Sequence, residues 1–141
     1  QFVERMNDKA RVLGLHDTHF SILSGLDQEG NYSSVYDLAQ LMDYALNNSF
    51  FGDAFALKEY TAYVLNKPET REFTATDKLV GTRPDIIGGK TGFTYQAGYC
   101  FIGVSQRDGH KLITVVLNAK DRFKETEQIV DWIFEQYQWS I

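Results

Sequence analysis

Residues 88–100, Gly-Gly-Lys-Thr-Gly-Phe-Thr-Tyr-Gln-Ala-Gly-Tyr-Cys, decide how the rest of the chain is interpreted. If the segment from Lys90 to Thr94 is an edge strand, alternation places Lys90, Gly92 and Thr94 on one face and Thr91 and Phe93 on the other. A strand edge of this kind can hold an extended peptide through main-chain hydrogen bonds. The segment therefore predicts a peptide-binding strand beside a cleft.

The tripeptide Lys90-Thr91-Gly92 has the chemistry to bind a carboxylate. A lysine ammonium is a compact positive charge, and a threonine hydroxyl can donate a hydrogen bond to the same carboxylate. Gly92 leaves room for the backbone of a peptide to approach. Lysine and threonine also protect ordinary strand edges from aggregation, so the tripeptide by itself does not establish a site.

The elements around this segment predict an α+β fold. On its C-terminal side, residues 99–105 and 111–118 are rich in β-formers and flank an Asp-Gly turn. The spacing of Val130 and Phe134 then predicts a helix that covers the sheet, with Trp132 packed between helix and sheet. On the N-terminal side, residues 80–89 are expected to form a glycine-rich loop. Further upstream we expect a hairpin of residues 60–65 and 71–75, a short helix at 50–57, a helix capped by Ser34, and an N-terminal helix.

Size and charge limit the possible functions. A chain of 141 residues fits a single unit, and 43% hydrophobic residues suffice for a core. The net charge is −5 and no run of Lys or Arg occurs, so nucleic-acid binding is not expected. No apolar stretch reaches the ~18 residues of a membrane span.

The residues that most often serve as nucleophiles or metal ligands have simpler explanations here. None of the seven serines is followed by lysine three positions later, and neither Ser-x-Asn nor Tyr-x-Asn occurs. Ser34 is explained as a helix cap. His16 and His19 lack a cysteine or acidic partner at metal-site spacing, and Cys100 is interpreted as a small apolar residue.

The motif set as a whole closely resembles the serine D-alanyl-D-alanine carboxypeptidases of the low-molecular-weight penicillin-binding class. Its signature is Gly-Gly-Lys-Thr-Gly-x-Thr-x-x-Ala-Gly-Tyr-Cys, followed by a hairpin that ends Leu-Ile-Thr-Val-Val-Leu-Asn-Ala. Upstream, Phe-Val-Glu-Arg-Met-Asn, Thr-His-Phe and Tyr-Ser-Ser follow in the order typical of that family. The resemblance implies a β-lactamase/transpeptidase-like fold and covers most of the chain.

The resemblance also implies roles for residues of the Lys-Thr-Gly segment. Lys90 would belong to the network that binds the terminal carboxylate and assists proton transfer, and Thr91 would hydrogen-bond that carboxylate. The backbone N–H of Phe93 would be an oxyanion-hole donor, while Gly92 and Thr94 would contact the substrate. No metal or organic cofactor is implied. Asp77 stands where the family often has an asparagine-containing segment, so no role is assigned to it.

In that family the Ser-x-x-K and Ser-x-Asn elements precede the segment that begins like Phe2-Val3. We therefore expect residues 1–141 to be the C-terminal part of a catalytic domain whose other half supplies the nucleophile, and the chain to be inactive alone. The parent would act outside the cytoplasmic membrane on a peptidoglycan stem peptide, or react with a β-lactam. The start at Gln1 suggests a longer polypeptide.

Two alternative interpretations and one further hypothesis remain open. The chain could be a non-catalytic module that binds cell-wall peptide or a protein along the Lys90 strand edge. It could also be half of a nicked enzyme whose companion is a separate chain. Apolar surface bared by the missing half could make it a homo-oligomer.

Overall fold

A computed structural model describes residues 1–139, which form four helices and two antiparallel sheets. The helices are α1 (Phe2–Val12), α2 (Val35–Leu46), α3 (Ser49–Ala56) and α4 (Arg122–Gln136). The strands are β1 (Glu59–Tyr63), β2 (Thr70–Thr74), β3 (Ile86–Thr94), β4 (Gly98–Arg107) and β5 (His110–Ala119). The expected α+β class, with helices before a three-stranded sheet and a helix after it, is confirmed.

The main sheet has the order β3-β4-β5, so β3 lies at one edge. The turn between β4 and β5 is the predicted Asp-Gly turn. Asp108 and Gly109 both have positive φ, at 49° and 84°. A two-residue hairpin turn of type I′ requires positive φ at both positions. Because this tight turn fixes the register of β4 against β5, it also fixes the sheet against which β3 is laid.

Gly88 and Gly89 lie in strand β3, where the lack of a side chain allows close packing. The prediction that residues 80–89 form a loop is therefore wrong for residues 86–89. The strand β3 already begins at Ile86, and only the preceding residues form turns. A Cβ on Gly89 would stand 2.6 Å from the ring of Phe101, and one on Gly88 would stand 3.0 Å from the backbone of Phe55 in α3. Both positions therefore lack a side chain because neighbouring groups occupy the space.

The core lies between the main sheet and α4. Phe101 is fully buried and packs edge-on against Phe123, with ring centroids 5.3 Å apart. Val130 of α4 is equally buried, as its helical spacing predicts. The expectation for Trp132 is wrong: its side chain is 59% exposed, because it lies on the outer side of α4. The remaining buried members of this cluster are Leu79, Ile86, Val116 and Ala119.

A buried carboxylate ties the irregular segment after α1 to α2. Ser34 caps α2 as predicted, accepting a hydrogen bond from the backbone N–H of Asp37 at 3.2 Å. The Oδ2 atom of Asp37 accepts from the backbone N–H of Asp17 at 2.8 Å and from the hydroxyl of Thr18 at 2.6 Å. Asp37 thereby holds the chain that leads toward the free edge of β3.

Four charged side chains fasten the start of β3 to β4 and α4. Arg83 and Arg107 each donate to both Asp85 and Asp131, forming a closed ring of ion pairs. The hydrogen bonds from Arg83 hold the pKa of Asp85 well below its usual range, and they also lower the pKa of Asp131. Hydrogen bonds between a guanidinium group and a carboxylate are stronger than hydrogen bonds between neutral groups.

We expect Asp85→Asn to lower the free energy of unfolding by about 2 kcal/mol at pH 7, because each of two guanidinium groups loses one of its two carboxylate partners. The folded pKa of Asp85 is depressed, so its stabilisation is complete above the ordinary aspartate pKa. It is lost as the pH falls below about 4 toward the folded value. Urea unfolding at several pH values measures this, and the gap between wild type and variant should narrow in acid.

The solvent-exposed pair Asp8–Arg11 supplies the matched control, since exposed ion pairs contribute little. Asp8→Asn should leave the unfolding curve unchanged. A pH-independent loss in Asp85→Asn would contradict the electrostatic explanation.

Candidate active site

The structure places Lys90 on the free edge of β3, where a ligand can reach it. Its side chain is exposed, and Nζ donates to the carbonyl oxygen of Thr91. Lys90 pairs with Ile102 and Thr91 with Phe101 across the strands, so the two side chains start from opposite faces, as alternation predicts. Because β3 has no neighbouring strand on its outer edge within residues 1–139, both side chains nonetheless border the same open groove.

Two concave regions meet at Lys90 and Thr91. The first, the hairpin pocket, has a volume of about 320 Å³ and lies between α3, the β1–β2 hairpin and β3. The second, the loop pocket, has about 550 Å³ and lies between the segment 20–31 and β3. Of the Lys-Thr-Gly segment, the loop pocket also includes Gly92 and Phe93, whereas the hairpin pocket stops at Thr91.

The remaining predicted site residues differ in their surroundings. Phe93 is half-exposed, and its ring lies 4.6 Å from that of Tyr99 between centroids. The hydroxyl of Thr94 accepts a hydrogen bond from the backbone N–H of Ala97 at 3.0 Å, so this side chain shapes the turn into β4. Gly92 is exposed, with only Cys100 within 4 Å of where a Cβ would stand. The structure thus brings Lys90, Thr91, Gly92 and Phe93 to one groove, while Thr94 also has a structural role.

Arg122 is a second cation that the sequence analysis missed. It lies at the start of α4, and its Nη1 donates to the carbonyl oxygens of Gly92 at 2.8 Å and Cys100 at 3.4 Å. Its guanidinium group also lies over the ring of Tyr99, 5.3 Å from the centroid. Arg122 therefore holds β3 against β4 at Gly92. The sequence gives one indication of this contact. A basic residue stands at the start of a helix, where the helix dipole disfavours positive charge.

Thr76 and Asp77 form the inner wall of the hairpin pocket. The hydroxyls of Thr76 and Thr91 hydrogen-bond to each other. Asp77 is buried, and its Oδ1 accepts from the backbone N–H groups of Leu79 and Val80. Its Oδ2 is buried without a hydrogen-bond partner among the described residues. Burial raises the pKa of Asp77, with the two backbone hydrogen bonds and Arg122 acting in the opposite direction.

The other candidates do not assemble into a second site. His19 Nδ1 lies 2.6 Å from the carbonyl oxygen of Gly30, and its ring stacks on Tyr32. Cys100 is partly buried, and its thiol donates weak hydrogen bonds to the carbonyl oxygens of Ala97 and Gly98. Within residues 1–139, no three His, Cys, Asp or Glu side chains lie close enough together to hold a metal ion.

The family described as D-alanyl-D-alanine carboxypeptidase matches residues 1–121, well over half of the chain. The chain belongs to the D-alanyl-D-alanine carboxypeptidase family. This membership confirms the resemblance on which the sequence analysis relied.

Individual family members agree with this assignment. D-alanyl-D-alanine carboxypeptidase DacF of Bacillus subtilis is 33% identical over 98% of this chain and 36% of its own length. DacC of Escherichia coli is 31% identical over 97% of this chain and 34% of its own length. The chain thus spans about a third of the curated relatives that it matches.

Solved structures of the same fold support the architecture. The Streptomyces K15 DD-transpeptidase superposes with a TM-score of 0.88 at 32% identity, over 95% of this chain and 54% of that one. Penicillin-binding protein D2 of Listeria monocytogenes, solved in a cefotaxime-bound form, gives a TM-score of 0.81 at 33% identity. The match covers 94% of this chain and 55% of that protein's chain. The transpeptidase-like fold is therefore confirmed for this carboxypeptidase-family chain.

We expect Asp77→Asn to stabilise the chain at pH 7 by about 1 kcal/mol, because it removes a charge that burial disfavours. The folded pKa is raised, so wild type is most stable below the ordinary aspartate pKa and loses stability as the pH rises through the folded value. The difference should therefore be large at pH 7 and small near pH 3. Thermal unfolding across this range measures it.

Asp77→Ala separates the charge from the hydrogen bonds. It removes the acceptor for Leu79 and Val80, so it should destabilise the chain at every pH. Equal stability of wild type and Asp77→Asn at pH 7 would contradict the prediction, because it would show that the buried negative charge does not destabilise the folded chain.

Proposed function

We propose that this chain is the Lys-Thr-Gly part of a serine-type D-Ala-D-Ala carboxypeptidase that acts on peptidoglycan stem peptides. The observation that carries the proposal is the placement of Lys90 and Thr91 on a free strand edge between two pockets. In a family whose members are named for cleaving D-alanyl-D-alanine, such an edge offers a cation and a hydroxyl to a peptide's terminal carboxylate.

The proposed reaction in the intact protein is acyl transfer to a serine hydroxyl. The serine attacks the penultimate carbonyl, D-alanine leaves, and water releases the acyl-enzyme. Lys90 would bind the carboxylate and assist proton transfer, with Thr91 hydrogen-bonded to the same carboxylate and Gly92 and Thr94 in contact with substrate. The Phe93 N–H would stabilise the oxyanion, a type of contact typically worth about 2.7–4 kcal/mol of barrier lowering.

The rest of the site would come from the part of the domain not represented in these 141 residues. This chain covers 36% of DacF, and its seven serines include none in a Ser-x-x-K pattern. We therefore propose that residues 1–141 form the C-terminal part of a catalytic domain that acts outside the cytoplasmic membrane. No helix in residues 1–139 is long and apolar enough to cross a membrane.

An apolar groove on α1 is the surface that suits a partner. It has a volume of about 340 Å³ and is lined by Phe2, Arg5, Met6, Lys9, Ala10, Leu15, Phe20 and Leu41. The side chain of Phe2 is 64% exposed. Such exposure is costly for a phenylalanine in the absence of a cover. We propose that the other half of the domain lies here in the intact protein.

The function is tested by titrating the chain with diacetyl-L-Lys-D-Ala-D-Ala while following backbone amide signals. We expect weak, saturable binding without hydrolysis, with shifts at Lys90–Phe93. Lys90→Met should weaken binding roughly tenfold, because the carboxylate loses its cation. Fluorescent penicillin should leave no covalent band at 16.2 kDa, since the chain lacks the Ser-x-x-K nucleophile.

Lys111→Met is the matched control, because Lys111 is an exposed lysine on β5 of the same sheet. It should bind as wild type does. A penicillin-labelled band would overturn the proposal that the serine nucleophile lies outside this chain. Tight binding by the chain alone would favour the non-catalytic module, since a half-site offers only part of the contacts.

The exposed groove on α1 also predicts concentration-dependent self-association of the isolated chain, because a second copy can bury the same apolar surface. Sedimentation velocity should show a rising sedimentation coefficient as concentration increases, and Phe2→Ser should reduce this rise. Tyr63→Ser, which changes an exposed aromatic far from the groove in sequence, serves as the control. A monomer at every concentration would contradict the prediction.

A further inference from the structure

The hydroxyl of Thr76 contacts the Thr91 hydroxyl from outside the Lys-Thr-Gly segment. The two oxygens lie within hydrogen-bonding distance of each other, and both residues border the hairpin pocket. Thr76 stands 15 positions earlier in the sequence, in a bend between β2 and β3. A second part of the chain therefore reaches one of the two groups that are proposed to bind the carboxylate.

The backbone on both sides of Thr76 is held in place. The N–H of Ala75 donates to the carbonyl oxygen of Lys58 at 2.8 Å. On the other side, Oδ1 of the buried Asp77 accepts hydrogen bonds from two backbone N–H groups that follow it in the chain. Because both of its neighbours are fixed, Thr76 presents its hydroxyl from a fixed position, and little conformational entropy remains to be lost when a ligand binds.

The number of protons on the two hydroxyl groups limits what Thr91 can do. Each hydroxyl has one proton to donate and two lone pairs that accept. The hydrogen bond between the two groups uses one of these protons. If Thr91 donates to Thr76, no proton remains on the Thr91 hydroxyl for a ligand. If Thr76 donates to Thr91, the Thr91 proton stays available and points away from Thr76.

A carboxylate ligand determines which of these two arrangements forms. An ionised carboxylate only accepts hydrogen bonds, and a hydroxyl that donates to a charged group makes a stronger bond than one between neutral groups. A carboxylate that binds at Thr91 therefore requires Thr76 to be the donor between the two hydroxyls. The resulting chain of hydrogen bonds runs from Thr76 to Thr91 to the carboxylate, and bonds in such a chain strengthen one another.

We propose that Thr76 is a positioning residue, whose hydroxyl donates to Thr91 and thereby directs the Thr91 proton at the terminal carboxylate of the bound peptide. This inference rests on the proposed carboxylate-binding role of Thr91. Thr76 acts through Thr91 and not by contact with the ligand. A variant without the Thr76 hydroxyl keeps the positive charge of Lys90 but loses the fixed direction of the Thr91 donor.

The test measures the binding of diacetyl-L-Lys-D-Ala-D-Ala to four forms of the chain by titration of the backbone amide signals. The four forms are wild type, Thr76→Val, Thr91→Val and the double variant. We expect Thr76→Val to weaken binding about fivefold, which is the size expected for one hydrogen bond. In the Thr91→Val background the same change should have no further effect, because the group through which Thr76 acts is absent.

Two further variants separate positioning from folding. Thr76→Ser retains a hydroxyl and should restore wild-type binding. Thr74→Val removes a hydroxyl that borders the same pocket from the end of β2, and it should bind as wild type does. Thr74 and Thr76 are both exposed, so their valine variants should keep the urea midpoint of wild type.

The outcomes distinguish this inference from the proposed function. If binding depends on Lys90, as judged with Lys90→Met, but Thr76→Val binds as tightly as wild type, the positioning role is wrong and the proposed function stands. A loss that persists in the Thr91→Val background would also overturn the positioning role, because it would show that Thr76 does not act through Thr91. If the peptide does not bind to wild type, both proposals are overturned.

Discussion

The packing of one buried ring, Phe101, constrains the geometry of the whole site. Phe101 needs the space above Gly89, where a Cβ would stand 2.6 Å from its ring, and above Gly103, where it would stand 3.0 Å away. With both positions free of side chains, β3 lies flat against β4, and the ring fills the space under α4. Any larger residue at Gly89 would force the strand that carries Lys90 away from its partner. The position of the cation therefore depends on a hydrophobic contact one residue before it.

Two positively charged side chains lie at the edge strand, although the chain as a whole is negatively charged. The net charge is −5, yet Lys90 and Arg122 both lie at the edge strand. The buried acid of the hairpin pocket is Asp77, and burial raises its pKa. The strongest carboxylate–guanidinium contacts, those of Asp85 and Asp131, lie at the other end of β3 and are fully engaged by arginines. An anionic ligand in the groove thus meets the exposed ammonium group of Lys90 on a chain whose net charge is negative.

Local patterns in the sequence predicted the helices and strands. They could not predict contacts between segments that are far apart in the sequence. The Asp108-Gly109 turn, the Ser34 cap and the edge position of Lys90 each follow from a few neighbouring residues. Arg122 could not be found in this way, because it reaches Gly92 across 30 positions of sequence through a fold that the pattern does not specify. The extension of β3 back to Ile86 was missed for a related reason. Glycines that make room for a distant ring look in sequence like glycines that make a turn.

Under the proposed function, this chain forms part of an active site, and binding and chemistry place different demands on its structure. A carboxylate-binding surface needs only a cation and a hydroxyl in fixed positions. Within residues 1–139, the sheet, α4 and the ring of ion pairs around Asp85 fix both groups. A nucleophile must in addition be held against its base and the oxyanion donors with sub-ångström tolerance, which requires packing from all sides. The outer edge of β3 has no paired strand among the described residues. Under the proposed function, the groove between the two pockets receives a peptide, and reaction there requires a further wall that carries the hydroxyl.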